Sequence, residues 1–273
     1  MNLQTTRAEA FRALHERPCI FAIPNPWDAG SAKLLASLGF EALATTSAGF
    51  AFSLGRPDGA GAVSREEALG HSRVIVEATS LPVSADLENG FGDEPEACAE
   101  TIRLAAEAGL VGASIEDATG RPEDPIYPFE LSVERVKAAV KAARGLSFPF
   151  MLTARAENFL HGRPDLKDTI RRLEAFADAG ADVIYAPGLI TREEIGAVVK
   201  AVAPKPVNVL GGGSLSLNEL AGLGVKRVSV GSALARAAYG EFLRAAEEIR
   251  REGSFDFAEK AVPFIKINAM FKA

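Results

Sequence analysis

One local event recurs four times in this chain: a helical pattern ends in glycine and a short apolar run follows. The four are Leu38-Gly39-Phe40-Glu41-Ala42-Leu43, Ala108-Gly109-Leu110-Val111, Ala179-Gly180-Ala181-Asp182-Val183-Ile184 and Leu223-Gly224-Val225-Lys226-Arg227-Val228. Glycine suits the left-handed residue just past a helix C-terminus. The glycines stand 70, 71 and 44 residues apart, so each interval has room for two strand–helix units.

The remaining apolar runs, at 19–23, 81–85, 148–153 and 206–210, alternate with strands near 41–45, 111–115, 182–185 and 226–230. Strands alternating with helices imply a parallel sheet. Helix starts agree. Ser64 and Glu67, Asp93 and Glu96, Thr191 and Glu194, and Ser216 and Glu219 have the spacing of a capping box, in which two side chains serve the free amides of a first turn. Pro95 falls where a missing N–H costs nothing. Eight such units predict one (β/α)8 TIM-type barrel over residues 1–273. A doubly wound open sheet has the same alternation, and periodicity alone does not show closure.

The segment 254–273 is apolar, with Phe255, Phe257, Ala261, Phe264, Ile265, Ile267 and Phe271. It reads as a helix plugging the underside of its own barrel, or as a C-terminal oligomerisation helix on a partner subunit. Exposed apolar surface of this kind marks interfaces.

Composition narrows the function. With 273 residues, 48% of them hydrophobic, the chain can bury a sizeable core. A net charge of −6 argues against nucleic acid, whose binding needs a basic face. No stretch approaches the ~20 apolar residues of a membrane span, and Met1 to Arg17 is polar rather than signal-like. The expectation is a cytoplasmic protein without membrane or nucleic-acid partners. Cys19 and Cys98 lack metal-ligand spacing and read as small core residues.

Charges stand where strands end. Leu81-Pro82-Val83-Ser84-Ala85 runs into Asp86-Leu87-Glu88-Asn89-Gly90, Ser114-Ile115 into Glu116-Asp117, and Thr153-Ala154 into Arg155-Ala156-Glu157. In a parallel barrel these ends converge on the face where barrel enzymes do chemistry. Asp86 and Glu88, two apart, point to one side if the strand continues; Glu116 completes a cluster. Crowded carboxylates call for a cation, and oxygen donors favour Mg2+, with Mn2+ possible. The competing reading is a structural network with Arg155 and nearby lysines. Arg155 can stabilise a developing oxyanion or serve as a salt bridge to Glu116 or Glu157; Glu157 can orient it.

Thr45-Thr46-Ser47-Ala48-Gly49 offers small polar side chains and free amides suited to a carboxylate, or is an ordinary strand–loop junction. Asp58 alone looks like a turn residue. Gly211-Gly212-Gly213-Ser214 and Gly231-Ser232 follow strands seven and eight, where many barrels bind phosphate, although glycine also simply turns a chain. His15 and His71 are expected on helix surfaces, and His161 in the loop after strand five. No nucleophile elbow or Walker loop is present.

Taken together, Leu54-Gly55-Arg56-Pro57-Asp58, Asp86-Leu87-Glu88-Asn89-Gly90-Phe91-Gly92, Ser114-Ile115-Glu116-Asp117, Thr153-Ala154-Arg155-Ala156-Glu157-Asn158 and Val207-Asn208-Val209-Leu210 resemble the isocitrate lyase and phosphoenolpyruvate mutase superfamily. The likeness runs over residues 20 to 235. It implies a barrel whose last helix is exchanged between subunits of a homotetramer or dimer. It implies Mg2+ bound by Asp86, with Glu88 and Glu116 holding it largely through waters. It implies a 2-oxo acid or its enolate on the metal, with Thr46, Ser47, Ala48 and Gly49 around the carboxylate. Arg155 would neutralise the oxyanion, and Asp58 would lie near the metal waters, so Arg155, Asp58 and Glu116 are the implied catalytic residues.

The departures matter as much. Isocitrate and methylisocitrate lyases carry a cysteine loop after strand four, and the mutase a lysine- and asparagine-bearing gating loop. Here that region reads Ala118-Thr119-Gly120-Arg121-Pro122-Glu123-Asp124-Pro125-Ile126-Tyr127-Pro128. The expected function is therefore coarser: a Mg2+-dependent lyase that cleaves a C–C bond in a small 2-oxo acid or related carboxylate through a metal-stabilised enolate. Hydrolysis or mutation of a C–P bond of the phosphonopyruvate type is the alternative, as is a non-catalytic 2-oxo acid binding barrel. Residues 118–131 are expected to close as a lid. Tyr185, Pro187, Asn208 and Phe50 are expected beside the substrate's far end.

Overall fold

The computed structural model describes residues 2–59 and 61–272. Eight strands form one parallel sheet: β1 Phe21–Ile23, β2 Leu43–Ala44, β3 Val83–Asp86, β4 Gly112–Glu116, β5 Met151–Arg155, β6 Val183–Tyr185, β7 Val207–Leu210 and β8 Arg227–Ser229. Their order, β1-β8-β7-β6-β5-β4-β3-β2, brings the first strand against the last. Between β1 and β2 the seam carries a hydrogen bond donated by the Ala44 amide to the Pro24 carbonyl, 3.1 Å. Asn25 closes the rest. Its Nδ2 donates to Thr45 O at 2.9 Å, and its Oδ1 accepts from the amides of Val230 and Gly231 at 2.8 and 2.9 Å. The barrel expectation holds and the open sheet is excluded.

The helices are α1 Leu3–Glu16, α2 Ala29–Ser37, α3 Ser47–Ser53, α4 Arg65–Ala78, α5 Pro95–Glu107, α6 Phe129–Arg144, α7 Leu166–Asp178, α8 Arg192–Val202, α9 Leu217–Gly222, α10 Ala233–Glu252 and α11 Phe264–Met270. Gly39, Gly109, Gly180 and Gly224 all take positive φ, between 85° and 102°, as the repeat requires. Three of the four anticipated capping boxes form, at Ser64, Thr191 and Ser216. The fourth does not: α5 starts from Glu94 without a side-chain cap. Asp93 instead accepts a 2.6 Å bond from the Tyr127 hydroxyl and pairs with Arg121.

Helix packing buries Leu43, Ile75, Leu87, Ile102 and Leu152 on one side and Leu173, Phe176, Ile184 and Val198 on the other. A third apolar cluster, around Phe11, Leu14 and Phe21, seats α1 against Val111, Met151 and Val183. Cys98 is buried as expected; Cys19 is exposed, because the turn from α1 into β1 carries it at the surface.

The C-terminal region corrects one expectation. Residues 254–272 do not form a single oligomerisation helix. They fold as a 3-10 turn, Asp256–Glu259, and the short α11, with Pro263 immediately ahead of it. Proline fixes its own backbone and disfavours a helical residue before it. α11 rests on α2, with Phe271 beside Gly30. Phe255, Val262, Phe264 and Ile265 stay exposed, and Ala235 is the one buried residue of α10.

The histidines depart too. His71 stacks on Phe50 with ring centroids 3.8 Å apart, and its Nε2 lies 2.8 Å from the Trp27 carbonyl. His15 is buried between Phe11 and Phe21. Its Nδ1 lies 2.8 Å from the Phe11 carbonyl and its Nε2 3.3 Å from Arg227 Nη1, which selects the neutral ring protonated on Nδ1. Burial, then the Arg227 charge, push its pKa down to about 3. The unfolded chain therefore binds a proton below pH 6.5 that the folded chain refuses until about pH 3. The stabilisation is fully present above pH 6.5 and is lost as pH falls. His15→Gln should remove about 1.4 kcal/mol of the stability loss between pH 7.5 and 5.5. Urea titrations at both pH values check this; an unchanged pH difference would contradict the buried neutral ring.

Candidate active site

The C-terminal ends of the strands enclose two connected cavities, an outer one of about 880 Å3 and an inner one of about 180 Å3. Ser47, Asp58 and Arg155 line both and mark the passage between them. Glu88, Glu116 and Glu157 face the outer cavity, Asp86 the inner.

Arg155 ends β5 and is held from three sides. Its Nη1 lies 2.8 Å from Asp86 Oδ1, and its Nη2 lies 3.2 Å from Glu116 Oε2 and 2.8 Å from Glu157 Oε1. Nε donates to the same Glu157 oxygen at 2.9 Å. Burial opposes the guanidinium's charge, but Glu157, Glu116 and Asp86 more than offset this and raise its pKa. So Arg155 does make the salt bridges, and Glu157 orients it. Glu157 is in turn fixed by Asp117, which accepts its amide at 2.8 Å and a bond from Arg172 Nη1 at 3.0 Å.

Asp86 is the last residue of β3, and its Oδ2 accepts from the Ser47 hydroxyl at 3.1 Å. Glu88 is not a strand residue. It lies two residues past the strand end with φ 49°, a left-handed conformation that an L side chain adopts at a cost. The surrounding loop holds it there. Gly90, also at positive φ, has Cys98 so close that a Cβ would meet Sγ at 2.9 Å, and Arg135 beneath donates to the carbonyls of Asn89, Gly92 and Asp93. The Asn89-Gly90 pair thus builds a strand–helix loop, not a hairpin. Burial, with the charges of Asp86 and Asp58, pushes Glu88 up to about 7. Burial likewise raises Glu116 well above the ordinary carboxylate range, opposed by Arg155 and reinforced by Glu157.

The 45–49 segment is only partly the expected loop. Thr46 caps α3, its side chain accepting from the Gly49 amide at 3.2 Å. That amide is therefore spent on the helix, and Gly49 does not line the inner cavity. Thr46, Ser47 and Ala48 do. Tyr185, Pro187 and Asn208 also line it; Phe50 does not, being stacked on His71. His161 lies at the outer rim. Of the segment after β4, Ala118, Thr119 and Gly120 line the outer cavity. An antiparallel bridge joins Ala118 to Ile126, and Tyr127 is buried. The Tyr127 hydroxyl also accepts from Asn89 Nδ2 at 3.2 Å, tying this segment to the β3 loop. The Gly211–Ser214 loop contributes Gly211 and Gly213 to a separate small recess beside Leu189 and Leu215, whereas Gly231 and Ser232 line the inner cavity.

Among the described residues, no three acidic, histidine or cysteine side chains already converge on one point as a metal cage. The guanidinium of Arg155 lies between Asp86 and Glu116. The donor chemistry still fits a hard divalent ion. Asp58, Asp86, Glu88, Glu116 and Glu157 crowd one arginine, all donors are oxygens, and Mg2+ commonly takes one or two carboxylates and completes its shell with water. Asp86, Glu88 and Glu116 are the residues that would hold it.

Sequence reasoning missed Asn25, Arg227, Ser84, Ser114 and Ser229, all of which line the inner cavity. Asn25-Pro26 resembles a plain turn, and the serines carry no motif. A charged residue inside the apolar run of β8 was the one available signal for Arg227.

Known proteins resemble this chain in sequence and fold over most of its length. Residues 11–250 match the family model described as phosphoenolpyruvate phosphomutase. The chain is 30% identical to an uncharacterised protein of Mycobacterium tuberculosis over 95% of both chains. It is also 30% identical to the 2-methylisocitrate lyase of Halalkalibacterium halodurans over 81% of this chain and 73% of that one. Among solved structures, a Burkholderia cenocepacia protein named only as a lyase/mutase superposes with a TM-score of 0.97 at 65% identity, covering 100% of this chain and 98% of that one. Oxaloacetate acetylhydrolase with bound oxalate gives 0.86 at 25% identity, covering 98% and 94%. Phosphonopyruvate hydrolase with oxalate and Mg2+ gives 0.86 at 26%, covering 97% and 94%. The chain belongs to the phosphoenolpyruvate phosphomutase family and is an enzyme of the isocitrate lyase/phosphoenolpyruvate mutase superfamily.

Proposed function

We propose that the protein is a Mg2+-dependent lyase that cleaves a C–C bond next to the keto group of a small 2-oxo acid or related carboxylate. The observation that carries this is the surplus of carboxylates around Arg155 at the junction of two cavities of very different size. When bound, Mg2+ supplies a Lewis acid for the carboxylate and keto oxygens. The chain's own groups do the rest. Ser47 and Ala48, at the start of α3, bind the substrate carboxylate in the inner cavity, where the Ser47 amide otherwise rests 3.4 Å from Asp86 Oδ2. Arg155, held by Glu157 through both Nε and Nη2, faces the oxygen on which charge develops and does not have to reorient as it does so. Asp58 stands across the passage near Ser47, and Glu116 fixes the other edge of the guanidinium. Asn208 and Tyr185 form the inner cavity wall, and the outer cavity takes the departing fragment.

C–P cleavage of a phosphonopyruvate-type substrate is the second reading, favoured by the likeness to phosphonopyruvate hydrolase. It needs the same carboxylate and keto contacts and differs only in what fills the outer cavity. A barrel that binds a 2-oxo acid without turnover is the third. The test is release of pyruvate, glyoxylate or phosphate from a panel of oxo, hydroxy and phosphono acids, with and without chelator. Chelator-sensitive release from a carbon-only substrate is expected, and Asp86→Ala should lower it by at least about 100-fold. Full activity of that variant under excess Mg2+ would refute the site; oxo-acid binding without any release would leave the binding barrel.

We also propose that α10 and residues 254–272 pack on a second copy of this chain. Phe242, Leu243, Ile249, Phe264 and Ile265 form apolar surface that the single barrel leaves uncovered. Light scattering should show a dimer or tetramer, and the double substitution Phe264→Asp with Ile265→Asp should shift it toward monomer. A wild-type monomer at micromolar concentration would contradict this.

A further inference from the structure

The interior of a (β/α)8 barrel is usually packed with Val, Ile and Leu. Here the layer beneath Asp86, Glu116 and Arg155 is polar. Ser84, Ser114 and Thr153 each lie two residues before those three on the same strands, so they face the same interior. Across β4 to β8 the strand register joins Glu116 to Arg155, Arg155 to Tyr185, Tyr185 to Asn208 and Asn208 to Arg227. Arg227, first residue of β8, lines the inner cavity and is only 5% exposed.

The two arginines of this interior differ in one respect. Arg155 is surrounded by three carboxylates. Arg227 is held only by neutral groups: Nε donates to Asn208 Oδ1 at 2.8 Å, Nη2 to Thr153 Oγ1 at 2.9 Å, and Nη1 lies 3.3 Å from His15 Nε2. His15 is itself kept neutral by burial. Asn208 is fixed in turn, its Nδ2 donating to Ser229 Oγ at 2.9 Å. Among the described residues no carboxylate pairs with Arg227. A buried cation without a counter-charge is expensive, and its field is weakly screened because the group is almost fully buried.

We propose that Arg227, the inner-cavity cation that no carboxylate pairs with, is a positioning residue that selects for ligands that are doubly negative at their inner end. This rests on the 2-oxo acid reading and deepens it. A 2-oxo acid carries one negative charge there, and its enolate carries two, so Arg227 favours the enolate over the substrate from which it forms. Arg155, already matched by acidic side chains, cannot provide that preference alone. Oxalate has the charge of the enolate and nearly its shape. Oxamate, with an amide in place of one carboxylate, has the charge of the oxo acid.

The test is calorimetric binding of oxalate and of oxamate at constant free Mg2+ to the wild-type protein, to Arg227→Met, which keeps the length, and to Arg227→Gln, which keeps a donor without the charge. Melting temperature and circular dichroism establish that each variant is folded. Wild-type protein should prefer oxalate, and both variants should lose at least about tenfold in oxalate affinity while oxamate changes less than about threefold. An equal loss for both ligands would assign Arg227 a merely structural role, and unchanged oxalate affinity in a folded variant would overturn the proposal. Arg227→Lys, which keeps the charge, should preserve the preference for oxalate even where the uncharged variants do not fold; its loss there would also overturn the proposal. Absence of oxalate binding by the wild-type protein would instead count against the 2-oxo acid reading itself.

Discussion

The Arg155 guanidinium gathered by Asp86, Glu116 and Glu157 is the interaction on which the rest of this site depends. The parallel register sets Glu116 level with Arg155 and Asp86 opposite Ser114, two residues lower on β4, and the Arg155 guanidinium spans that step to reach both carboxylates. A buried ion cluster of this kind is a poor way to stabilise a fold, since desolvation consumes most of the attraction. The proposed lyase gives it a chemical use: it holds a rigid guanidinium beside an excess of carboxylates at the mouth of the barrel.

Much of the remaining architecture serves to hold that cluster. Asp117 and Arg172, both buried, anchor Glu157 from behind and tie α7 to the end of β4. Arg135 gathers the carbonyls of the loop that carries Glu88 in its left-handed conformation. Asn25 fastens the seam where β1 and β2 share little of the ladder, directly beside the Thr45–Ser47 turn that reaches Asp86. These groups do no chemistry themselves. They fix the positions of those that do, as a preorganised site requires.

The barrel was legible because it is written in local signals. A glycine at a helix end and a Ser-x-x-Glu box act over a few residues, and four glycines with three boxes suffice to count the units. Asp86, Glu116 and Arg155 were legible because a charge at a strand end has no local structural reason to be there. Local reasoning failed where partners came from far along the chain. Asp93 has the spacing of a cap, yet Tyr127, 34 residues on, claims its carboxylate. His15 sits on a polar-looking helix, yet Arg227, 212 residues away, makes it a core residue. Gly49 lost its amide to Thr46, a competition that composition does not reveal. The apolar tail had the right chemistry for an interface, but Pro263 breaks it into two short pieces.

The most direct test of the central claim is a Mn2+ titration followed by electron paramagnetic resonance, with and without oxalate. The account predicts one ion per chain, held more tightly when oxalate is present, and lost in Asp86→Asn while the fold persists. Stoichiometric binding that survives in the folded Asp86→Asn variant, or no binding by the wild-type protein at millimolar Mn2+, would contradict it.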